Sequence, residues 1–66
     1  MPRYHFVVRE TNFTHDDPDG VHLPNDDVAR DQGQRIVREL KNDGYTGDVL
    51  IVHDETGRIV DSIRFE

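Results

Sequence analysis

The stretch His15-Asp16-Asp17-Pro18-Asp19-Gly20, followed by Asp26, concentrates residue types that hold cations. Calcium takes oxygen ligands, and loop sites of the helix–loop–helix kind supply them at fixed positions. With Gly20 set at the sixth position, Asp17, Asp19 and Asp26 fall at the third, fifth and twelfth. The first position is then His15, a poor calcium ligand, and the twelfth is Asp where such loops use a bidentate Glu. No helical pattern precedes the stretch, so it reads as a solvated acidic turn punctuated by Pro18 and Gly20. His15 and His22, with Asp17 or Asp19, would offer a transition-metal set. Six intervening residues match no zinc spacing, and no third nitrogen or sulfur ligand is near. His5 and His53 fall on separate strands and read as surface or interface groups. We expect no metal and no cofactor.

Nucleophilic chemistry finds no support either. Ser62 is the single serine, lies on a strand pattern, and has no elbow glycines around it. There is no glycine-rich loop to cradle a phosphate. The carboxylates cluster in turns, where we expect them solvated rather than buried and tuned. We expect no enzymatic activity. Arg30, Gln34, Arg38 and Lys41 fall on one side of a helical pattern and could contact phosphates. In a chain of formal net charge −6 such a stripe reads first as a solvated face laced with ion pairs.

The element that must position everything else runs from Asn25 to Gly44. Asn25 suits an N-cap, Asp26 and Asp27 complement the helix dipole, and Gly44 suits a left-handed stop. Ala29, Gly33, Ile36, Val37 and Leu40 share one face at the helical period. Asp26–Arg30 and Asp31–Arg35 have the acid-before-base spacing of helix ion pairs. Gly33, costly in mid-helix, suits a close approach of the helix backbone to a sheet.

Around this helix the chain predicts strands. Arg3 to Arg9 alternates, with Tyr4, Phe6 and Val8 on one side and His5, Val7 and Arg9 on the other. Val21 to Leu23 is long enough for a short strand pairing back on the first, and Phe13 is a lone aromatic in the intervening loop. Asp48 to Asp54 is a strong apolar strand, Asp54 to Gly57 a tight turn, and Arg58 to Phe65 the returning strand. The order is β-β-α-β-β. This is an α+β domain over residues 1–66, with one helix across a mainly antiparallel four-stranded sheet. The simplest spatial order is second strand, first, third, fourth. Two registers of the last hairpin are open. The favoured one opposes Val52 to Ile59 and puts Leu50, Val52, Ile59, Ile63 and Phe65 beneath the helix with Tyr4, Phe6 and Val8. Asp61 is then a polar residue tolerable only at an exposed end or edge.

A chain of 66 residues, 33% apolar, builds one thin core, and self-association would bury more surface. The absence of cysteine excludes disulfides and thiolate zinc sites. The opening residues lack the apolar region of a signal peptide, and no apolar run is of membrane-spanning length, so we expect a cytoplasmic protein.

Three segments carry a resemblance. Met1 to Arg9 fits M-P-R-Y-x-F-x-V-R. Asp17, Gly20, Leu23 and Pro24 fit D-x-x-G-x-x-L-P, and Val52, Asp54, Gly57, Arg58 and Val60 fit V-x-D-x-x-G-R-x-V. The chain resembles a family of short bacterial proteins known only as a domain of unknown function. It departs from that family at Gly33, where alanine is usual, and at Asp61, where apolar residues prevail. The resemblance implies an architecture but no activity, cofactor or catalytic residue.

One surface remains unassigned. With Tyr4, Phe6, Val8, Leu50 and Val52 under the helix, the other face would carry His5, Val7, Val49 and Ile51, with Val60 as a further candidate. A wet sheet face should be polar. A contiguous apolar face marks a contact, here a homodimer or one protein partner, unless a loop such as that carrying Phe13 covers it. The function this suggests is a small self-associating interaction module. A different possibility is an antitoxin-like regulator capping a partner protein, since strand–acidic turn–strand–helix order resembles small antitoxins. Weak nucleic-acid binding by the helix stripe is a third.

Overall fold

The computed structural model describes residues 1–65. Its elements are β1 (Arg3–Glu10), β2 (Thr14–His15), β3 (Val21–His22), α1 (Asp26–Asn42), β4 (Gly47–His53) and β5 (Ile59–Phe65). One helix lies on one face of an antiparallel sheet ordered β2-β1-β4-β5, with β3 also paired to β1. β2 pairs with Val8 and Arg9, whereas β3 pairs with Arg3 and Tyr4. The expected order is therefore present, with β2 as an added fifth strand. Two residues are too few to show an alternation, which is why the sequence pattern does not reveal it.

The helix forms where its caps lie. The Asn25 side chain accepts a hydrogen bond from the Val28 N–H at 3.0 Å. At the other end Tyr45 N–H donates to the Leu40 carbonyl and Gly44 N–H to that of Lys41, both at 3.1 Å, with Gly44 at φ +87°. This is the paired closure of a helix ending in a left-handed glycine. Ala29, Gly33 and Val37 are buried, and Ile36 and Leu40 pack half-buried against the core. A Cβ at Gly33 would stand 2.7 Å from the δ-methyl of Ile51, so the glycine does seat the helix closely on the sheet.

The core consists of Tyr4, Phe6, Ala29, Val37, Val49, Ile51 and Phe65. β1 presents the face expected of it, but β4 does not. Phe6 opposes Ile51 and Val8 opposes Val49, and both Val49 and Ile51 are 0% exposed. The assignment of Val49 and Ile51 to the outer face is thus corrected: they lie under the helix, and Leu50 and Val52 take their place outside. The apolar run hides this phase, because a one-residue shift exchanges the two faces without any polar residue objecting. In β5, Val52 opposes Ile59 as favoured, but Ile51 opposes Asp61, so Val60 is an extra, bulged residue. The bulge changes the phase of the strand. Ile63 and Phe65 pack on the core, whereas Ile59, expected beneath the helix, is 57% exposed on the opposite side. Asp61 does sit on the edge strand. Its Oδ1 accepts the Ser62 N–H at 2.8 Å, and Arg30 of the helix lies 3.7 Å from its Oδ2.

Candidate functional site

The uncovered sheet face is built in rows by strand pairing. Arg9, Asp48 and Arg64 form one row, Val7, Leu50 and Ser62 the next, and His5, Val52 and Ile59 the third. Val7, Leu50, Val52 and His5 are half-buried. Ile59 is the most exposed of the group. Among the described residues no helix lies over this side, since α1 packs on Tyr4, Phe6, Val49, Ile51 and their neighbours across the sheet. The result is an apolar patch of Val7, Leu50, Val52 and Ile59 with charge at both ends. Phe13, considered as part of a covering loop, is 48% exposed and packs edge-on against His15 beside β2.

At one end of the patch Arg9 grips Asp48 with two hydrogen bonds, Nε at 2.8 Å and Nη2 at 2.6 Å. This fork geometry suits a carboxylate, and it holds Asp48 below the usual carboxylate range while raising Arg9. Beside it lies an open, mostly polar depression of about 350 Å³, bordered by Glu10, Thr46, Gly47 and Arg64. At the other end the His5 ring lies between two acceptors, with Nδ1 2.6 Å from the Asp17 carbonyl oxygen and Nε2 2.5 Å from Asp54 Oδ1. The Asp17 carbonyl and then the Asp54 carboxylate raise the His5 pKa, and His5 in turn lowers that of Asp54.

A second polar cluster lies on the helix side. Tyr4 donates to Asp26 Oδ1 at 2.7 Å, and Arg58 donates to Asp26 Oδ2 at 3.0 Å. Burial first, then the bond to Asp26, raises the Tyr4 pKa; the Tyr4 bond, then Arg58, lowers that of Asp26. His53, expected at the surface, instead stacks edge-on against Tyr4 at 5.4 Å, and its Nδ1 is buried without a hydrogen-bond partner among the described residues. This cluster ties the helix N-terminus to β1 and to Arg58, the residue just before β5. The sequence did not disclose it, because its members are far apart in the chain and Asp26 looked committed to its own helix.

The other candidate residues are dispersed. Asp17 caps its own turn by accepting the Gly20 N–H at 3.2 Å, while Asp26 is engaged with Tyr4 and Arg58 on the helix side. Among the described residues no three metal-ligating side chains converge. The helix pairs also differ from expectation: Arg30 reaches Asp27 at 3.0 Å rather than Asp26. Gln34, Arg35, Arg38 and Lys41 are exposed, and Ser62 lies exposed on the outer face beside Leu50.

The three perturbed carboxylates predict an acid response. Asp26, Asp48 and Asp54 have folded pKa values below their unfolded ones. Their contribution is present above the unfolded value of about 3.9 and is lost as pH falls through the folded values. Urea midpoints should therefore drop progressively through that acidic range, and Asp26→Asn should flatten the drop.

A family model of a domain of unknown function, DUF6894, matches residues 3–66. The chain belongs to DUF6894. No curated protein and no solved structure matches it. The DUF6894 match begins at the first residue of β1 and takes in all six elements, so the helix, the sheet and its uncovered face all lie within the family domain.

Proposed function

We propose that this DUF6894 chain is a small interaction module that self-associates through the uncovered sheet face. The observation that carries the proposal is the contiguous patch of Val7, Leu50, Val52 and Ile59 on the side opposite the helix. Such patches mark contacts because exposed apolar surface gains from burial.

Three features favour a second copy as the occupant. The face carries both signs of charge at each end, with Arg9, Asp48 and Arg64 at one and Arg3, His5 and Asp54 at the other. A twofold mate can match it without a strongly charged partner. Part of the acidic surplus lies across the molecule, on the exposed helix side with Asp27, Asp31 and Glu39. The β5 edge is a poor alternative, since its bulge and the Asp61 carboxylate on the Ser62 N–H obstruct strand addition. The molecule measures 33 × 20 × 16 Å. A standard interface takes about 800 Å² from each partner, so pairing must use most of a side.

The setting we propose is the bacterial cytoplasm, in keeping with a chain without cysteine. No helix among the described residues is long and apolar enough to cross a membrane. A concentration series of amide NMR spectra tests the proposal. Shifts should grow with concentration and map to Val7, Leu50, Val52 and Ile59. Shifts confined to α1, or none at all, would place the contact elsewhere or remove it.

A further inference from the structure

Between its pairings with β2 and β3, the outer edge of β1 faces the acidic loop of residues 16–20. His5 stands in that interval and is engaged at both ring nitrogens. Nδ1 lies 2.6 Å from the Asp17 carbonyl oxygen, and Nε2 lies 2.5 Å from Asp54 Oδ1. A carbonyl and an ionised carboxylate are acceptors only. A neutral imidazole carries a single N–H and presents a lone pair at the other nitrogen, so it can satisfy one of these partners but not both. Only the imidazolium donates to each.

We propose that His5 is a proton-operated clasp, closed as the imidazolium across the Asp17 loop and the Asp54 turn and opened on one side when it loses its proton. The groups facing it set the direction. From the loop come the Asp17 carbonyl and its carboxylate, the latter held by the Gly20 N–H. From the end of β4 comes Asp54, itself flanked by Arg3 and His53. The residue opposite on β4 is Val52, which carries no charge, and Arg3 and Val7 are the neighbours on the same side of β1. Anionic and carbonyl oxygens outweigh the burial that would expel the charge, so the proton is held above the ordinary histidine value of about 6.5.

The sign follows. A raised folded pKa makes the clasp's contribution full below the unfolded value and removes it as pH rises through the folded one. The released element is the loop, which is flanked by the two-residue strands β2 and β3. Its local opening is therefore the least costly response. A rise in pH would free an acidic loop beside the apolar patch while leaving the helix and central strands in place.

Ring-nitrogen NMR across the neutral and mildly alkaline range tests this on the wild-type chain, independently of self-association. His5 should carry protons on both nitrogens at neutral pH and titrate above the ordinary value, and Asp54→Asn should move its midpoint downward. Amide exchange at Asp19 and Gly20 should rise through the same midpoint several-fold beyond the intrinsic base-catalysed increase. A His5 midpoint at or below the ordinary value, or one unmoved in Asp54→Asn, would overturn the clasp. Loop exchange that follows only the intrinsic increase would overturn the release.

Discussion

Gly47→Ala is expected to leave most of the chain unfolded. Gly47 opens β4 at φ +154°, opposite Glu10 of β1 and Phe65 of β5, so three strands take their register through it. A Cβ built there would lie 1.9 Å from the Arg9 carbonyl oxygen and 3.0 Å from the Glu10 Cα. Both are backbone atoms of a central strand, and no side-chain rotation can clear them. Relief requires separating the ends of β1 and β4. Strain of this kind costs about 3 kcal/mol or more, against roughly 3–10 kcal/mol of total stability for a domain of this size. Gly44→Ala is the control, because Gly44 also has a positive φ but nothing within 4 Å of its missing Cβ. It should cost only about 1 kcal/mol. Equal denaturant midpoints for the two variants would show that the close approach of β1 to Gly47 does not govern stability.

Ile51→Ala should cost about 2–5 kcal/mol, the range for a fully buried aliphatic side chain. Ile51 is 0% exposed, pairs with Phe6, and fills the space that Gly33 leaves beneath the helix. Leu50→Ala, one residue away on the uncovered face, should cost the isolated protomer far less, on the order of 1 kcal/mol for its half-buried chain. The pair reads the phase of β4 directly. A larger loss for Leu50→Ala than for Ile51→Ala, measured by urea denaturation at low protein concentration, would put Leu50 under the helix and Ile51 outside.

That phase is also where sequence and structure part. The helix was legible because every signal agrees: the Asn25 cap, the first-turn aspartates, the apolar stripe and the Gly44 stop. β1 was legible because Arg3, His5 and Arg9 alternate with Tyr4, Phe6 and Val8, so only one face can be buried. In β4 the run Val49 to Val52 is apolar throughout, and alternation within it carries no phase. The clue lay just outside, in Asp48: a charged side chain facing Arg9 and Arg64 commits Leu50 and Val52 to the same side. β5 misled for another reason, since the bulge at Val60 changes phase within the strand and leaves Ile59 outside while Ile63 packs inside. The candidate face was therefore legible in kind, an apolar sheet surface on the side away from the helix, but half of its expected residues belong to the core.

Sedimentation of the wild-type chain and of Leu50→Glu, from micromolar to millimolar concentration, tests self-association most directly. Glutamate at Leu50 would bring a charge into the centre of the patch, beside Val7, while leaving the helix side untouched. The wild type should pass reversibly from monomer to dimer as concentration rises. Leu50→Glu should stay monomeric with unchanged circular dichroism. A wild type that sediments as a monomer at every concentration, or a Leu50→Glu chain that dimerises as the wild type does, would contradict association through this face.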